Sequence, residues 1–258
     1  MYDITISIIS HNSRKDLELL LPSLRVALDG INSEVLMIDN CSEDFSAEFV
    51  NNKYPEIQVR KNTSRLGYGA NHNQNLDIAK GKYIVFMNAD LILEPNALLS
   101  LLKFIDMDSN IGIVTPKIVN KDGSLQYLNK RHPAILDLLV RRFCPDPLKY
   151  IFKKRLDYYE MRDVGFDSIA EVPFISGSFM FCRTDIIRKV GGFDDNYFMY
   201  FEDVDLCRKI QKTYKTMYYP NVKVIHRWER GAHKNFKWAF VFIISGIKYF
   251  NKWGYKLF

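Results

Sequence analysis

Acidic side chains recur in this chain just where an apolar run stops. Tyr83 to Met87 leads into Asn88-Ala89-Asp90, and Glu34 to Ile38 leads into Asp39-Asn40-Cys41-Ser42-Glu43-Asp44. The aromatic run Tyr197 to Phe201 leads into Glu202-Asp203-Val204-Asp205. A strand covered on both faces reads as a continuous apolar run, and open α/β sheets place their ligands beyond the carboxyl ends of such strands. Asp90 is therefore a candidate ligand for a metal or a phosphate site; the plainer alternative is that Asn88 and Asp90 only form a turn. Glu202, Asp203 and Asp205 are expected in the first turn of a helix, where carboxylates complement the helix dipole. Capping explains one acid there well, but three beside an aromatic run less well.

Other stretches suit binding. The strand-like Ile4 to Ile9 ends in Ser10-His11-Asn12-Ser13, polar residues fit for a binding loop or a helix cap. Asn62 to Ala70 holds Arg65, Gly67 and Gly69 and runs into a helix carrying Asn71, Asn73 and Asn75. Small residues before a helix N-terminus, with an arginine beside them, can hold a nucleotide or pyrophosphate. It is not the dinucleotide fingerprint, because Gly67-Tyr68-Gly69 lacks the third glycine. Val172 to Arg183 reads as a strand broken by Ser176-Gly177-Ser178, where glycine permits close backbone approach to a ligand.

The elements that must position these residues follow from periodicity. Leu17, Leu20, Leu21, Leu24 and Leu28 are helically spaced, with Pro22 expected to kink or shorten that helix. Ile57 to Arg60 is a short third strand, and Pro95 suits the first turn of a helix bearing Leu98, Leu99, Leu102, Phe104 and Ile105. Strands alternating with helices through residue 105 imply an α/β fold with a mostly parallel sheet and right-handed crossovers. Beyond it, Gly112 to Val119 reads as a strand and 120–124 as a turn. Residues 127–170 hold Arg131, Arg141, Arg142 and the break Cys144-Pro145-Asp146-Pro147 without clean periodicity, and are expected to be an insertion that shapes a substrate cleft.

With 258 residues, 47% of them hydrophobic and 26% charged, the chain forms one large domain or a domain with an appendage. No secretory pattern opens it, and Cys41, Cys144, Cys182 and Cys207 are too dispersed for a zinc finger, so a reduced, cytoplasmic compartment is expected. A net charge of +6 asks for an acidic partner. Carboxylates at several strand ends make a continuous basic groove for nucleic acid improbable. Cations cluster at Lys149 to Arg155 and from Arg227 to Lys256, the latter among many aromatic residues. The apolar part, Trp238 to Ile244, is far short of the roughly 20 residues a spanning helix needs. An amphipathic helix lying on an anionic membrane is expected. A helix packed on the core with solvated cations, or one used for homodimer formation, fits the same residues.

Taken in order, these stretches resemble the inverting family-2 glycosyltransferases with the A-type nucleotide-sugar-binding fold, over residues 4 to 228. The Asn-x-Gly-Tyr-Gly-x-Asn and Phe-x-Tyr-x-Glu-Asp-x-Asp-Leu forms are most similar to the bacterial rhamnosyltransferase branch, which builds O-antigens, capsules and related polysaccharides. The resemblance implies a donor half of about 1–116, an acceptor half of about 117–228 and a basic, aromatic helical segment at 229–258. It implies that Asp39 contacts the base or ribose, that Ser10, His11 and Asn12 line the same pocket, and that Arg65 lies against the nucleotide or its phosphates. Asn40, Gly67, Asn75, Asn88, Ala89, Asp90 and Gly177 complete the implied donor site. Asp90 stands as the last acid of the Asp-x-Asp metal motif, here Asn-Ala-Asp, and His226 as a further ligand for Mg²⁺ or Mn²⁺; one or two protein carboxylates suffice when phosphates supply other ligands. Asp203 is the implied general base, with Glu202 and Asp205 as competitors. The implied donor is dTDP-rhamnose and the acceptor a lipid-linked saccharide, at the inner face of the cell membrane. A UDP-sugar donor and a catalytically degenerate binding module are the alternatives. A nucleotidyltransferase would need a Gly-rich Arg-Lys loop after the first strand, which Ser10-His11-Asn12-Ser13 is not.

Overall fold

The computed structural model describes residues 2–227 and 236–258. Its amino-terminal half alternates as the sequence requires: β1 (Tyr2–Ser10), α1 (Arg14–Ala27), β2 (Ser33–Asp39), α2 (Ser46–Lys53), β3 (Gln58–Lys61), α3 (Tyr68–Ile78) and β4 (Gly81–Asn88). Then come β5 (Leu91–Leu93), α4 (Ala97–Asp106) and β6 (Ile111–Val119). The strands β3, β2, β1 and β4 lie side by side and parallel. Beyond β4 the sheet becomes mixed: β8 (Phe179–Arg183) runs antiparallel to both β4 and β6, while β9 (Lys215–His226) runs parallel to β6 and antiparallel to β5 and to the short β7 (Ala170–Glu171).

The register gathers the strand ends. Ser10 pairs with Asp39 across β1 and β2, and Ile9 with Asn88 across β1 and β4, so three polar termini leave the sheet side by side. In β5 and β9, Leu91 pairs with His226, which sets Asp90 beside that histidine.

Side-chain alternation along β4 divides the core. Tyr83, Val85 and Met87 face the leucines of α1 and α4, whereas Ile84 and Phe86 face Leu76 of α3 and Leu206 and Ile210 farther along. Pro22 does not break α1, which is continuous from Arg14 to Ala27. Pro22 and Glu18 are both exposed, so the carbonyl deprived of its usual partner lies on the water side. Pro95 likewise stands outside α4, which Asn96 precedes. Ser176-Gly177-Ser178 does not interrupt a strand; it forms the loop that enters β8.

Residues 127–170, which showed no period, fold as α5 (Ile135–Phe143), α6 (Asp146–Lys149), a 3₁₀ turn at Tyr150–Phe152 and α7 (Lys153–Tyr159). After β8 come α8 (Thr184–Lys189) and α9 (Glu202–Ile210), and α10 (Phe236–Trp253) follows β9. The boundary expected at 228 and 229 lies outside the described residues. On α10, Ser245, Gly246, Tyr249 and Phe250 are buried, and Tyr249 and Phe250 pack with Phe201 and Val204. Phe236, Phe240, Ile243 and Ile247 of the same helix stand exposed. No helix among the described residues is long and apolar enough to cross a membrane. All four cysteines are free.

Candidate functional site

The first wall of the site is the row of strand ends. Ser10 and Asp39 are almost wholly buried, yet Ser10 Oγ and Asp39 Oδ1 have no hydrogen-bond partner among the described residues. A buried acceptor left open is costly unless a ligand completes it, and Asp39 Oδ1 can take a donor from a base or a ribose. His11, half-buried, places Nδ1 2.9 Å from the Asn40 carbonyl oxygen. Asn12 is exposed in a left-handed conformation (φ 54°) and accepts from the Glu43 amide at 2.7 Å, so it shapes the loop at 42–43.

Asn40 holds the neighbouring loop in place. Its Nδ2 donates to the Leu66 carbonyl at 3.0 Å and its Oδ1 accepts from the Leu66 amide at 2.9 Å. Asn62 and Asn71 extend this amide network to Gly67. The exposed Arg65 is thereby presented at the rim. Gly67 permits close packing: a Cβ there would lie 2.7 Å from the carbonyl oxygens of both Tyr197 and Phe198. Asn75 is not part of the pocket; it is buried and donates to Ser7 Oγ and the Leu36 carbonyl.

The second wall begins at Asn88-Ala89-Asp90. Asn88 and Asp90 are partly exposed and Ala89 is buried, while the Asn88 amide donates to the Ser178 carbonyl at 3.0 Å. Asp90 Oδ1 accepts no hydrogen bond and lies 3.3 Å from His226 Nε2, with the Asp90 carbonyl tied to the Arg227 amide. An open carboxylate oxygen against an imidazole nitrogen is a donor pair that fits Mg²⁺ or Mn²⁺. Among the described residues no third metal-ligating side chain joins them. The remaining positions suit water and phosphate oxygens.

The third wall carries the Glu-Asp motif. Tyr200 and Phe201 both take left-handed φ values of 69°, a conformation that costs a non-glycine residue about 1–2 kcal/mol. This double turn swings Glu202 and Asp203 onto the first turn of α9. Asp203 Oδ2 accepts from the Gly177 amide at 3.1 Å and Oδ1 from Val204 at 2.9 Å. Burial pushes the Asp203 carboxyl above its ordinary range, opposed by the Gly177 amide and by Lys130. Burial and then the like charge of Asp203 push Glu202 well above it, so Glu202 favours its neutral form. Asp205 is excluded as a free base. Fully buried, it accepts from Trp253 Nε1 at 2.7 Å and lies 2.9 Å from Lys252 Nζ, both on α10.

Gly177 links these walls. Tyr68 Oη donates to its carbonyl at 2.5 Å, and a Cβ on Gly177 would meet the Tyr68 ring at 3.1 Å and Asp203 at 3.5 Å. Burial and then the fields of Glu202, Asp203 and Asp90 hold the Tyr68 phenol far above its usual range, so it remains a donor. Tyr68 and Lys130 escaped sequence reasoning. Lys130 is 5% exposed, and burial followed by Arg141 lowers its ammonium to about 7 against the pull of Asp203. Tyr68 carried a signal, a large ring between two glycines; Lys130 lay in a stretch with no period.

A family model described as "Glycosyl transferase family 2" matches residues 5–191. An N-acetylglucosaminyl-diphospho-decaprenol L-rhamnosyltransferase of Mycobacterium tuberculosis is 28% identical over 236 residues, which cover 84% of this chain and 74% of that protein. Rhamnosyltransferase WbbL of Escherichia coli is 27% identical over 178 residues, 65% of this chain and 63% of that one. The mannosyltransferase PcManGT of Pyrobaculum calidifontis, solved with GDP-Man and Mn²⁺, superposes with a TM-score of 0.63 at 18% identity, covering 89% of this chain and 58% of that one. S. aureus TarS 1-349 in complex with UDP-GlcNAc gives 0.64 at 17% identity, covering 96% and 67%. The structural likenesses establish the A-type fold.

Proposed function

The chain belongs to glycosyl transferase family 2, and we propose that it moves rhamnose from dTDP-rhamnose, with inversion, onto a hydroxyl of a lipid-linked saccharide in cell-surface polysaccharide synthesis. One observation carries the mechanism. Asp203 accepts from the amide of Gly177, in the turn whose Ser178 carbonyl accepts from Asn88 at the end of the donor-side strand β4. The relatives named as rhamnosyltransferases support the choice of sugar, and the diphospho-decaprenol acceptor in one of those names supports the choice of acceptor.

In this reading Asp39 and Ser10 receive the nucleoside, with His11, Asn12 and Asn40 shaping that wall, and Arg65 and the Gly67 loop meet the diphosphate. Asp90 and His226 hold a divalent cation, which when bound offsets the charge gathering on the departing diphosphate. Asp203 takes the proton of the acceptor hydroxyl as that oxygen attacks the anomeric carbon. The bond to the diphosphate breaks on the opposite face, and its electron pair leaves with the nucleotide. The amide of Gly177 steadies the Asp203 carboxylate, while neutral Glu202 avoids adding a second charge beside it.

The exposed apolar side of α10, with Lys237 and Lys248 along its edge, suits an anionic membrane surface where a lipid-linked acceptor would reside. Flotation with phosphatidylglycerol liposomes at low salt tests this; protein left at the bottom of the gradient argues against it.

The central experiment is calorimetric titration with dTDP, UDP, GDP and their sugars, with Mn²⁺ and then with chelator, on wild type and Asp203→Asn. The expected result is metal-dependent preference for dTDP and dTDP-rhamnose, with binding kept and transfer lost in the variant. Preference for UDP overturns the donor. Equal loss of nucleotide binding in Asp203→Asn overturns the base.

A further inference from the structure

Gln126 is 8% exposed, and both hydrogens of its side-chain amide are engaged. Its Nε2 donates to Asn120 Oδ1 at 2.7 Å and to the His226 carbonyl at 2.8 Å. Asn120 is itself fixed, its Nδ2 donating to Ser124 Oγ at 2.8 Å inside the turn at 120–124. With both amide hydrogens directed to these oxygens, Gln126 Oε1 faces His226 Nδ1 at 2.8 Å. Exchanging the amide nitrogen and oxygen would oppose Oε1 to two acceptors, so the orientation is determined by the network. An amide oxygen only accepts. Nδ1 must therefore carry the hydrogen, and Nε2, the nitrogen on the Asp90 side, bears the lone pair that a cation would take.

We propose that Gln126 is a positioning residue for the metal site: it fixes the ring orientation and the Nδ1–H tautomer of His226, so that Nε2 and Asp90 Oδ1 converge on one cation. This rests on the reading that Asp90 and His226 share that cation. The order of elements explains why the pairing is available. The turn at 120–124 sends the chain back along the end of β6, and β6 lies beside β9, whose last residue is His226. Partners of this kind, when removed, typically weaken metal affinity about 10- to 100-fold while leaving the ligands in place.

The test uses full-length protein labelled with ¹⁵N-histidine. Nitrogen shifts report the tautomer of His226 without metal, and electron paramagnetic resonance reports Mn²⁺ affinity in the presence of dTDP or UDP. In Gln126→Met, which keeps the length but removes the acceptor, the Nδ1–H signature of His226 should give way to a mixture, and Mn²⁺ affinity should fall by about 10-fold or more. Asn120→Ala, which frees one of the two anchors in an accessible turn, should produce a smaller change in the same direction. His226→Ala and Asp90→Asn serve as references and should each lose more affinity than Gln126→Met. Wild-type shifts and affinity in Gln126→Met, with the two references impaired, overturn the role of Gln126 and leave the metal reading standing. Wild-type affinity in both references overturns the metal reading and this inference together.

Discussion

Mild acid should destabilise this protein through one buried histidine. His72, on α3, has no exposed surface; its Nδ1 lies 2.7 Å from Ser7 Oγ, which also accepts from Asn75 Nδ2 at 2.9 Å. The neutral ring can make this contact with Ser7 in either tautomer. The rings of Tyr68, Phe86 and Phe193 surround the imidazole with centroids at 4.6, 4.9 and 5.8 Å. Among the described residues no carboxylate shifts it, and burial lowers its pKa from 6.5 to about 3. As pH falls below 6.5 the unfolded chain binds a proton that the folded chain refuses. The stability this histidine contributes is complete above 6.5 and is lost progressively down to about 3, at about 1.4 kcal/mol per pH unit. From about pH 7.5 to about pH 4.5 that amounts to about 2.7 kcal/mol. The assay is urea unfolding followed by circular dichroism across that interval, on wild type and His72→Phe, which fits the same aromatic nest. Carboxylates titrate in both proteins and cancel in the difference, as does any constant penalty of the substitution. The two stability curves should therefore diverge by about 1.4 kcal/mol per unit. Parallel curves would refute the assignment of a neutral, uncompensated His72.

Other perturbations have equally definite outcomes. Glu202→Gln removes a group whose folded pKa is raised, so its stabilising contribution is present at low pH and is lost as pH rises through that value; the variant should hold its melting temperature better than wild type on the alkaline side. Because Glu202 already favours its neutral form, the same change should leave the acid limb of the rate profile, set by Asp203, close to its wild-type position; a limb moved to lower pH would overturn the assignment of Glu202 as the neutral member of the pair. Gly67→Ala sets a methyl 2.7 Å from two carbonyl oxygens and should cost about 1–3 kcal/mol in urea unfolding, with weaker nucleotide binding. Lys252→Ala leaves Asp205 with Trp253 alone. The loss should be about 2 kcal/mol, below the 3–5 of a fully buried pair because the Lys252 side chain is 36% exposed.

The alternating amino-terminal half was legible because its physics is local. Apolar runs such as Ile4 to Ile9 and Tyr83 to Met87 fixed strands, and their register then gathered Ser10, Asp39 and Asn88 without further information. The acids of the third wall were legible as a group but not by role. Nothing within Glu202-Asp203-Val204-Asp205 reveals that Asp205 turns toward Lys252 and Trp253, about fifty residues later. Asn75 was misjudged for a related reason, because an asparagine on a helix beside a binding loop looks the same whether it faces a pocket or Ser7. Pro22 was over-read, since its cost depends on which side of α1 meets water. Lys130 and Gln126 lie where chain order carries no period, and their partners Asp203 and His226 come from elements distant in sequence.

The anchoring of Asp205 bears on where the polypeptide can be cut. A terminal helix with an apolar outer side invites removal by anyone seeking a better-behaved protein. Here both side chains that satisfy Asp205 belong to that helix, and Asp205 is wholly enclosed, two positions after Asp203. Removing residues 236–258 would strand a naked charge inside α9 and uncover Phe201 and Val204 as well. Solubility should instead be sought by exchanging Phe236, Phe240, Ile243 and Ile247 for polar residues, keeping the helix in place as a clamp on the first turn of α9.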